Sequence, residues 1–318
     1  MRVLALVPGG IDDQVLFLPT LQHLHKELPK AEIFVVTTPE AKSFYGLTQL
    51  VAGAIPYGFG LASSPADWAN LLGIIREYEF EAVITLTQSW SIGLMLWLSG
   101  IPTRIGYASG SNSLYLTRTV PLKPDQPLMD QYHDLLGGLN ITGPCPDTLL
   151  NIPQKDLTWA DSLRQNIGLG EQGYVLVYPG PESATGQSYP ADQWATILKD
   201  FNSRQPDLPL ALIQTTDNAA IATATVQMVP GVKLLGPETL SQTAALIAGA
   251  NLLLSTDSYP LYLAIALQVF ALGLFGQNAP TRQLPAAEGE VRVMGIAADS
   301  GQLADIDPQT VLKKVWGE

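Results

Sequence analysis

The first residues of the chain show a pattern that recurs along its length. Five consecutive apolar positions, Val3 to Val7, predict a strand that is buried on both faces. Pro8, Gly9 and Gly10 interrupt the run, and glycine lets a backbone turn tightly and approach a ligand closely. Apolar residues then recur at helical spacing, at Val15, Leu16, Leu18, Leu21 and Leu24. A strand, a glycine turn and a helix in this order are typical of an open α/β domain, whose ligands bind beyond the carboxyl ends of the strands.

The alternation continues through two halves of similar size. In the first half it predicts strands at 32–37, 52–56, 82–86 and 103–107, with helices at 39–44, 68–78, 87–99 and 129–139. In the second half it predicts strands at 174–178, 209–214, 232–235, 251–255 and 269–275, with helices at 192–201, 218–228, 239–248, 259–267 and 308–315. Strands that alternate with helices form parallel sheets with right-handed crossovers. We therefore predict two α/β domains, residues 1–152 and 153–318, that face each other across a ligand-binding cleft.

Composition and charge exclude several classes of protein. Of 318 residues, 47% are hydrophobic and 14% are charged, which is typical of a folded chain with a large core. The net charge of -12 argues against a nucleic-acid-binding protein and against a protein that binds anionic membranes. One cysteine, Cys145, and three histidines leave no disulfide framework and no zinc-site spacing.

Membrane insertion and secretion are not expected either. The apolar run after Arg2 is too short for a secretory signal, and polar residues interrupt both longer apolar segments, Ala82 to Ile101 and Leu240 to Phe275. We expect a soluble, cytoplasmic protein with at most peripheral contact to the inner face of the cell membrane. The six tryptophans are more typical of packing than of sugar stacking.

Two adjacent carboxylates are the first candidates for chemistry. Asp12 and Asp13 follow the glycine turn, where the next helix begins. Aspartate is a favoured N-cap, so one of the two can cap the helix and leave the other free as a functional carboxylate. A capping role alone is the alternative, and nothing in the local sequence decides between the two. If both side chains face the same site, the charge of Asp12 raises the pKa of Asp13.

Several motifs together resemble glycosyltransferase family 9, the ADP-heptose:lipopolysaccharide heptosyltransferases. The resemblance runs through most of the chain, in the family's order, at Pro8 to Asp13, Gly93 to Gly100, Arg104 to Tyr107, Tyr178 to Gly180, Tyr189-Pro190, Trp194-Ala195, Leu240 to Ala248, Leu252 to Asp257, and Phe275-Gly276 with Pro280 and Arg282. By contrast, Pro8 to Asp13 lacks the G-x-G-x-x-G spacing of a Rossmann oxidoreductase.

The resemblance implies a GT-B architecture, with the acceptor on the first domain and a nucleotide-sugar donor, of the ADP-linked type, on the second. It implies inversion at the anomeric carbon, no metal and no cofactor, and a glycan or glycolipid acceptor. Asp13 matches the catalytic carboxylate. The expected acceptor-side residues are Gly9, Gly10, Asp12 and Arg104. The expected donor-binding residues are Pro179, Gly180, Gln187, Asp217, Asp257, Ser258, Tyr259, Tyr262 and Arg282.

The chain departs from the family at ligand-facing positions. Asp12 stands where the family has a small glycine, and Gln187 or Ser188 stands where a lysine is expected to meet the donor diphosphate. Tyr259 and Tyr262 replace the glycine and histidine that follow Asp257 in the family. These changes predict weak binding of a nucleoside diphosphate, for which Arg282 and Arg104 are the candidate cations.

Two alternatives therefore stay open. In one the protein is a glycosyltransferase, and in the other it is a non-catalytic member of the family that acts as a binding or assembly protein. A non-catalytic member is expected to fill its site with Tyr259 or Tyr262 and to expose an apolar patch for a partner. For Asp257 and Asp217 the alternative to a site role is an N-cap of the helix that follows.

Overall fold

The computed structural model describes residues 1–60, 64–169, 173–182, 188–285 and 292–318, so Gln187, one of the predicted donor-binding residues, lies outside the described residues. The chain divides into two compact units, Met1–Asn151 and Ile152–Glu318. This division lies one residue before the predicted domain boundary. Each unit contains one sheet.

The first unit contains a parallel sheet of six described strands. They are β1 (Arg2–Val7), β2 (Glu32–Thr37), β3 (Gly53–Pro56), β4 (Ala82–Thr85), β5 (Thr103–Tyr107) and β6 (Arg118–Val120), with helices α1 (Ile11–Glu27), α2 (Pro65–Glu77), α3 (Trp90–Leu98) and α4 (Leu128–His133). Short 3₁₀ helices cover Glu40–Leu47, Ser113–Tyr115 and Asp134–Leu139. The order β3-β2-β1-β4-β5-β6 reverses direction between β1 and β4, which marks the point where such sheets bind ligands.

The second unit repeats this winding. Its described strands are β7 (Val175–Tyr178), β8 (Leu210–Ile213), β9 (Lys233–Leu235), β10 (Leu252–Thr256), β11 (Ala271–Phe275) and β12 (Val293–Ala297). Its described helices are α5 (Gln154–Ile167), α6 (Ala191–Arg204), α7 (Ala219–Met228), α8 (Leu240–Ala248), α9 (Tyr259–Ala266), α10 (Pro280–Gln283) and α11 (Pro308–Trp316). The order β12-β11-β10-β7-β8-β9 places the reversal between β7 and β10.

Burial on both faces explains the continuous apolar runs of the central strands. Every residue from Val3 to Val7 in β1 is fully buried. On one face, Leu4 and Leu6 pack with residues of α2 and α3, among them Leu71 and Met95. In the second unit, residues of β7, β8, β10 and β11 pack with α6 and α11 around the fully buried Trp194. The cores therefore fix both carboxyl edges, where the candidate sites lie.

The predicted fold class, α/β of the GT-B type with two Rossmann-like parallel sheets, is confirmed. Four of the described strands and α-helices were not predicted: β6, β12, α5 and α10. Both strands lie at the sheet edges and are only partly buried. β6 has one apolar residue in three, whereas β12 is an apolar run, VMGIA, that was not assigned to a strand. Helix α5 buries only Asp156 and Ala160, so it has little of the apolar periodicity that predicts a helix.

The apolar segment Ala82 to Ile101 divides into β4 and α3. Within the described parts of the chain, no helix is both long and apolar enough to cross a membrane.

We expect Gly273→Ala to lower the free energy of unfolding of the second unit by about 1–3 kcal/mol. A Cβ atom on Gly273 in β11 would lie 2.4 Å from Cδ2 of Leu261, a fully buried side chain on α9. Gly236→Ala is the matched control, because no atom lies within 4 Å of a Cβ there. Urea unfolding of both variants measures the difference, and equal stabilities would contradict the packing described here.

Candidate functional site

The first candidate site lies at the turn between β1 and α1. Gly10 is the N-cap of α1, and Asp12 and Asp13 lie in the first turn of the helix. The interpretation of either aspartate as the N-cap is therefore wrong. Asp13 instead accepts a hydrogen bond from the backbone N–H of Gly10. Its carboxylate thus reaches back over the N-terminus of its own helix, as the third helical residue does in a capping box.

Asp13 is held from a distant part of the chain. Its Oδ1 lies 2.6 Å from the hydroxyl of Tyr132, which donates a hydrogen bond from α4. Burial raises the pKa of Asp13 to about 6, and the charge of Asp12 acts in the same direction. The hydrogen bonds from Tyr132 and Gly10 favour the charged form and limit the rise. Asp12 thus acts in the predicted direction, but burial is the larger cause.

The two glycines make room for the two aspartates. Gly9 has a φ of +108°, and a Cβ atom there would lie 1.9 Å from Oδ2 of Asp13. A Cβ atom on Gly10 would lie 2.5 Å from Oδ1 of Asp12. Thr38, which follows β2, donates its hydroxyl hydrogen to the carbonyl of Gly9 at 3.0 Å. The glycine turn thus lets a carboxylate, rather than only a ligand, lie directly over the backbone.

A buried glutamine fixes this turn from behind. Nε2 of Gln14 donates to the carbonyls of Val7, at 3.2 Å, and Gly10, at 3.3 Å. Its Oε1 accepts a hydrogen bond from the hydroxyl of Tyr45 at 2.6 Å. Sequence reasoning missed Gln14, Tyr45 and Tyr132. Gln14 could have been predicted, because it is a polar residue next to the apolar stripe of α1 and is fully buried.

The structure does not bring Arg104 to this site. Arg104 pairs in register with Val83, and Val83 pairs with Leu4, three residues and about 10 Å before the carboxyl end of β1. Its guanidinium donates to the carbonyls of Tyr115, at 2.7 Å, and Ile101, at 2.5 Å. These bonds hold the side chain against neighbouring backbone near the amino-terminal end of β5.

The second candidate site lies at the carboxyl end of β10. Asp257 extends the pairing of β10 with β11, because its N–H donates to the carbonyl of Leu274 at 2.8 Å. Its carboxylate accepts hydrogen bonds from the hydroxyl of Tyr262, at 2.7 Å, and from Nδ2 of Asn278, at 2.6 Å. Ser258, not Asp257, is the N-cap of α9, so the N-cap interpretation of Asp257 is wrong. Tyr262 is 1% exposed.

Asp217 lies at the same edge, after β8. Its carboxylate accepts hydrogen bonds from the hydroxyls of Thr215 and, at 3.4 Å, Tyr178. It does not cap α7: the N-cap is Asn218, and Oε1 of Glu182 accepts the N–H of Ala220 at 2.6 Å. The N-terminus of α7 is thus occupied by a carboxylate of the protein itself.

The turn after β7 lies between these two carboxylates in the sheet order. Pro179 and Gly180 end the strand, and Gly180 has a φ of +86°. A Cβ atom on Gly180 would lie 2.2 Å from the hydroxyl of Thr256, the last residue of β10. Tyr259 packs edge-on against Tyr178, with ring centroids 5.6 Å apart, and hydrogen-bonds Thr243. The structure therefore places Pro179, Gly180, Asp217, Asp257, Ser258 and Tyr259 along one edge of the sheet.

Arg282 is the predicted cation that lies at this edge. It is exposed on α10, which follows the loop at the carboxyl end of β11. Its neighbour Gln283 lies within hydrogen-bond distance of the hydroxyl of Tyr262, at 3.0 Å, which in turn contacts Asp257. No group of three or more histidine, cysteine or acidic side chains that could hold a metal ion occurs among the residues that the structure describes.

A family model of glycosyltransferase family 9 (heptosyltransferase) matches residues 68–315, which is most of the chain. The chain belongs to glycosyltransferase family 9. The matched region begins at Trp68, after the turn that carries Asp13.

Relatives within and beyond the transferases cover nearly the whole chain. Lipopolysaccharide heptosyltransferase 2 of Escherichia coli is 24% identical over 99% of this chain and 97% of its own length. The chloroplastic photosynthetic NDH subunit of subcomplex B 1 of Arabidopsis thaliana is 22% identical over 98% of this chain and 72% of its own length. The solved structure of E. coli ADP-heptose LPS heptosyltransferase II aligns with a TM-score of 0.78 at 20% identity, covering 100% of this chain and 98% of that one.

For this family 9 protein we expect Tyr132→Phe to raise the pKa of Asp13 above its value of about 6. The substitution removes a hydrogen bond that favours the charged carboxylate, while the ring still fills its place. Carboxyl carbon NMR of protein labelled at aspartate measures the titration directly. Tyr78→Phe, on the far side of the sheet from α4, is the control. A pKa that stays the same in Tyr132→Phe would contradict the assigned contact.

We also expect Asp13→Asn to stabilise the protein in a pH-dependent way. The pKa of Asp13 is raised from 3.8 to about 6, so folding favours the protonated form. The stability that this group contributes is present below pH 3.8 and is lost as the pH rises through about 6. At pH 7.5 the free energy of unfolding should therefore rise by about 2–3 kcal/mol on substitution, and at pH 4 by much less. Urea unfolding at the two pH values tests this, and an equal gain at both would be evidence against it.

Proposed function

We propose that this protein is an inverting, metal-independent glycosyltransferase that transfers a sugar from a nucleotide-sugar donor to a cell-envelope glycan or glycolipid. The observation that carries the proposal is the carboxylate of Asp13, which lies partly buried at the carboxyl end of β1 with a pKa raised to about 6. A carboxylate of this pKa is mostly ionised at neutral pH, yet it accepts a proton more readily than an exposed one. The proposed place of action is the cytoplasm, at most peripheral to the inner face of the membrane.

The proposed reaction is a single displacement. The carboxylate of Asp13 takes the proton of an acceptor hydroxyl, whose oxygen forms a bond to the anomeric carbon of the donor sugar. The bond between that carbon and the diphosphate oxygen breaks, and the nucleoside diphosphate leaves with the electron pair. One displacement inverts the configuration at this carbon. Tyr132 would keep the carboxylate oriented, and a carboxylate retains further lone pairs for the acceptor.

We place the donor at the carboxyl edge of the second sheet. The N-terminus of α9 offers the positive end of a helix dipole, and Arg282 adds a full charge. The similar E. coli structure is that of an ADP-heptose LPS heptosyltransferase, so an ADP-linked sugar is the first donor to test. Asp217 and Asp257 are the candidate acceptors for hydroxyl groups of the ribose and of the sugar.

A second candidate function, a non-catalytic binding or assembly protein, is favoured by specific observations. One relative is named as a subunit of the photosynthetic NDH complex, not as a transferase. In this chain Tyr262 and Asn278 already occupy the carboxylate of Asp257, and Glu182 occupies the N-terminus of α7. These contacts use groups that a donor would otherwise bind. We rank this candidate second because they leave Asp13 and its raised pKa unexplained.

Binding of donor nucleotides separates the two candidates. We expect calorimetry with ADP, GDP, UDP, CDP and their sugar derivatives to show binding for one of the four nucleobases, with a Kd of about 100 µM. This affinity is lower than that of a site in which a lysine contacts the diphosphate. Asp257→Asn should weaken this binding about tenfold, because one of the two carboxylate oxygens that accept hydrogen bonds from hydroxyl groups is replaced by an NH2 group, which donates. Asp207→Asn, on an exposed turn before β8, is the matched control and should change nothing.

Turnover is then measured with the bound donor and membrane glycolipid extracts. Product formation that falls at least about 100-fold in Asp13→Asn would support the transferase. The absence of nucleotide binding at millimolar concentration, or unchanged turnover in Asp13→Asn, would overturn it in favour of the assembly protein.

A further inference from the structure

A second polar surface lies beside Asp13 and has no role in the site described above. It is formed by the loops that follow β4 and β5, and its accessible side chains, which we call the hydroxyl rim, are Gln88, Ser89, Ser91 and Ser111. The loop after β4 adjoins the turn after β1, because the N–H of Leu86 donates to the carbonyl of Leu6 at 3.1 Å. The rim therefore lies at the same reversal point of the sheet as Asp13.

Hydrogen bonds arrange the rim in advance of any ligand. The hydroxyl of Ser111 donates to the carbonyl of Gln88 at 3.1 Å, and the hydroxyls of Ser89 and Ser91 lie 2.9 Å apart. Below them, Nδ2 of the fully buried Asn112 donates to the carbonyl of Thr87 at 2.5 Å. These bonds tie the two loops together, so a ligand would not have to order them.

An exposed tryptophan stands in the middle of the rim. Trp90 is the first residue of α3 and lies between Ser89 and Ser91, with 58% of its surface exposed. The expectation that the tryptophans pack in the core does not hold for this residue. A flat aromatic face next to hydroxyl groups suits a pyranose ring, whose C–H face is apolar and whose edge carries hydroxyl groups.

The charge of the surroundings limits what this surface can bind. Residues 86–100 and 108–117 contain no charged side chain. The turn next to them in the sheet carries Asp12 and Asp13, and Lys123, on the loop after β6, is paired with Asp134 at 2.7 Å. A phosphate or carboxylate on the ligand would lie on the side of these carboxylates, and like charges repel. An uncharged saccharide meets no such penalty.

We propose that Trp90 and the hydroxyl rim bind the acceptor, and that the acceptor's terminal residues are neutral sugars. This assignment rests on the proposed function, since it names the acceptor class for Asp13. The sugar stacks on the indole of Trp90, and the rim accepts and donates hydrogen bonds at its edge. Its next hydroxyl then lies on the side of Asp13, in the adjoining turn.

The test uses two tryptophans on one helix. Trp97 is also on α3 and is 55% exposed, but it lies two turns further from the carboxyl edge, so Trp97→Ala is a matched control for Trp90→Ala. The labelled full-length protein is applied to an array of neutral and acidic glycans. The glycan that binds most strongly is then titrated in solution to measure its Kd. We expect neutral glycans to bind, Trp90→Ala to weaken the Kd at least about tenfold, and Trp97→Ala to change it less than about twofold.

Three outcomes would overturn the assignment. These outcomes are a silent array, a preference for acidic glycans, or equal losses in the two variants, which would indicate a broad protein interface that includes Trp97 and the 90% exposed Leu114. Glycan binding needs no donor, so its result is independent of turnover. Neutral-glycan binding without transfer would contradict the proposed function alone, and transfer that Trp90→Ala leaves unchanged would contradict the acceptor site alone.

Discussion

The structure of the first site depends on placing one carboxylate over a glycine backbone in a partly buried turn. A charge in such a place loses hydration, which is why the pKa of Asp13 rises. The loss is offset by the N–H of Gly10, the positive end of α1 and the hydroxyl of Tyr132, which comes from 119 residues further along the chain. Gln14 and Tyr45 hold the turn in the shape that this arrangement requires. A side chain on Gly9 would collide with the carboxylate, so the glycine is needed for the position of Asp13 itself.

The second unit has the same strand topology, but the hydrogen-bond partners of its carboxylates are different. Asp257 and Asp217 lie after β10 and β8 and receive hydrogen bonds from the protein's own tyrosine, asparagine and threonine side chains. Asp13 in the first unit also accepts a hydroxyl hydrogen bond, from Tyr132, but burial raises its pKa to about 6. A raised pKa suits proton transfer, whereas a carboxylate that accepts hydroxyl and amide hydrogens suits recognition of hydroxyl groups. One fold thus supports two kinds of chemistry through the side chains at equivalent edges.

The sequence predicted most of the fold because its central strands are buried on both faces. Runs such as Val3 to Val7 are visible without any tertiary information, whereas β6, at a sheet edge, is a three-residue strand with two polar residues. Asp13 and Asp257 could be named because glycine turns and strand ends mark carboxyl edges. Tyr132 could not, because its role depends on the packing of α4 against α1. Arg104 was assigned by residue type and motif, while the strand register decides that it lies at the opposite end of β5.

Charge and recognition are linked in this molecule. With a net charge of -12 and acidic groups at the ligand-facing edges, long-range attraction of a phosphorylated ligand is weak. Binding energy must then come from short-range contacts, namely stacking on exposed aromatic rings and hydrogen bonds from hydroxyl and amide groups. The edge of the first sheet presents an exposed aromatic ring, Trp90, and the hydroxyl rim. The edge of the second presents the carboxylates of Asp217 and Asp257. In the proposed transferase, a polar residue in place of the family's lysine, at Gln187 or Ser188, and an uncharged acceptor surface would be consistent with one another. Both would shift recognition toward the neutral parts of a saccharide.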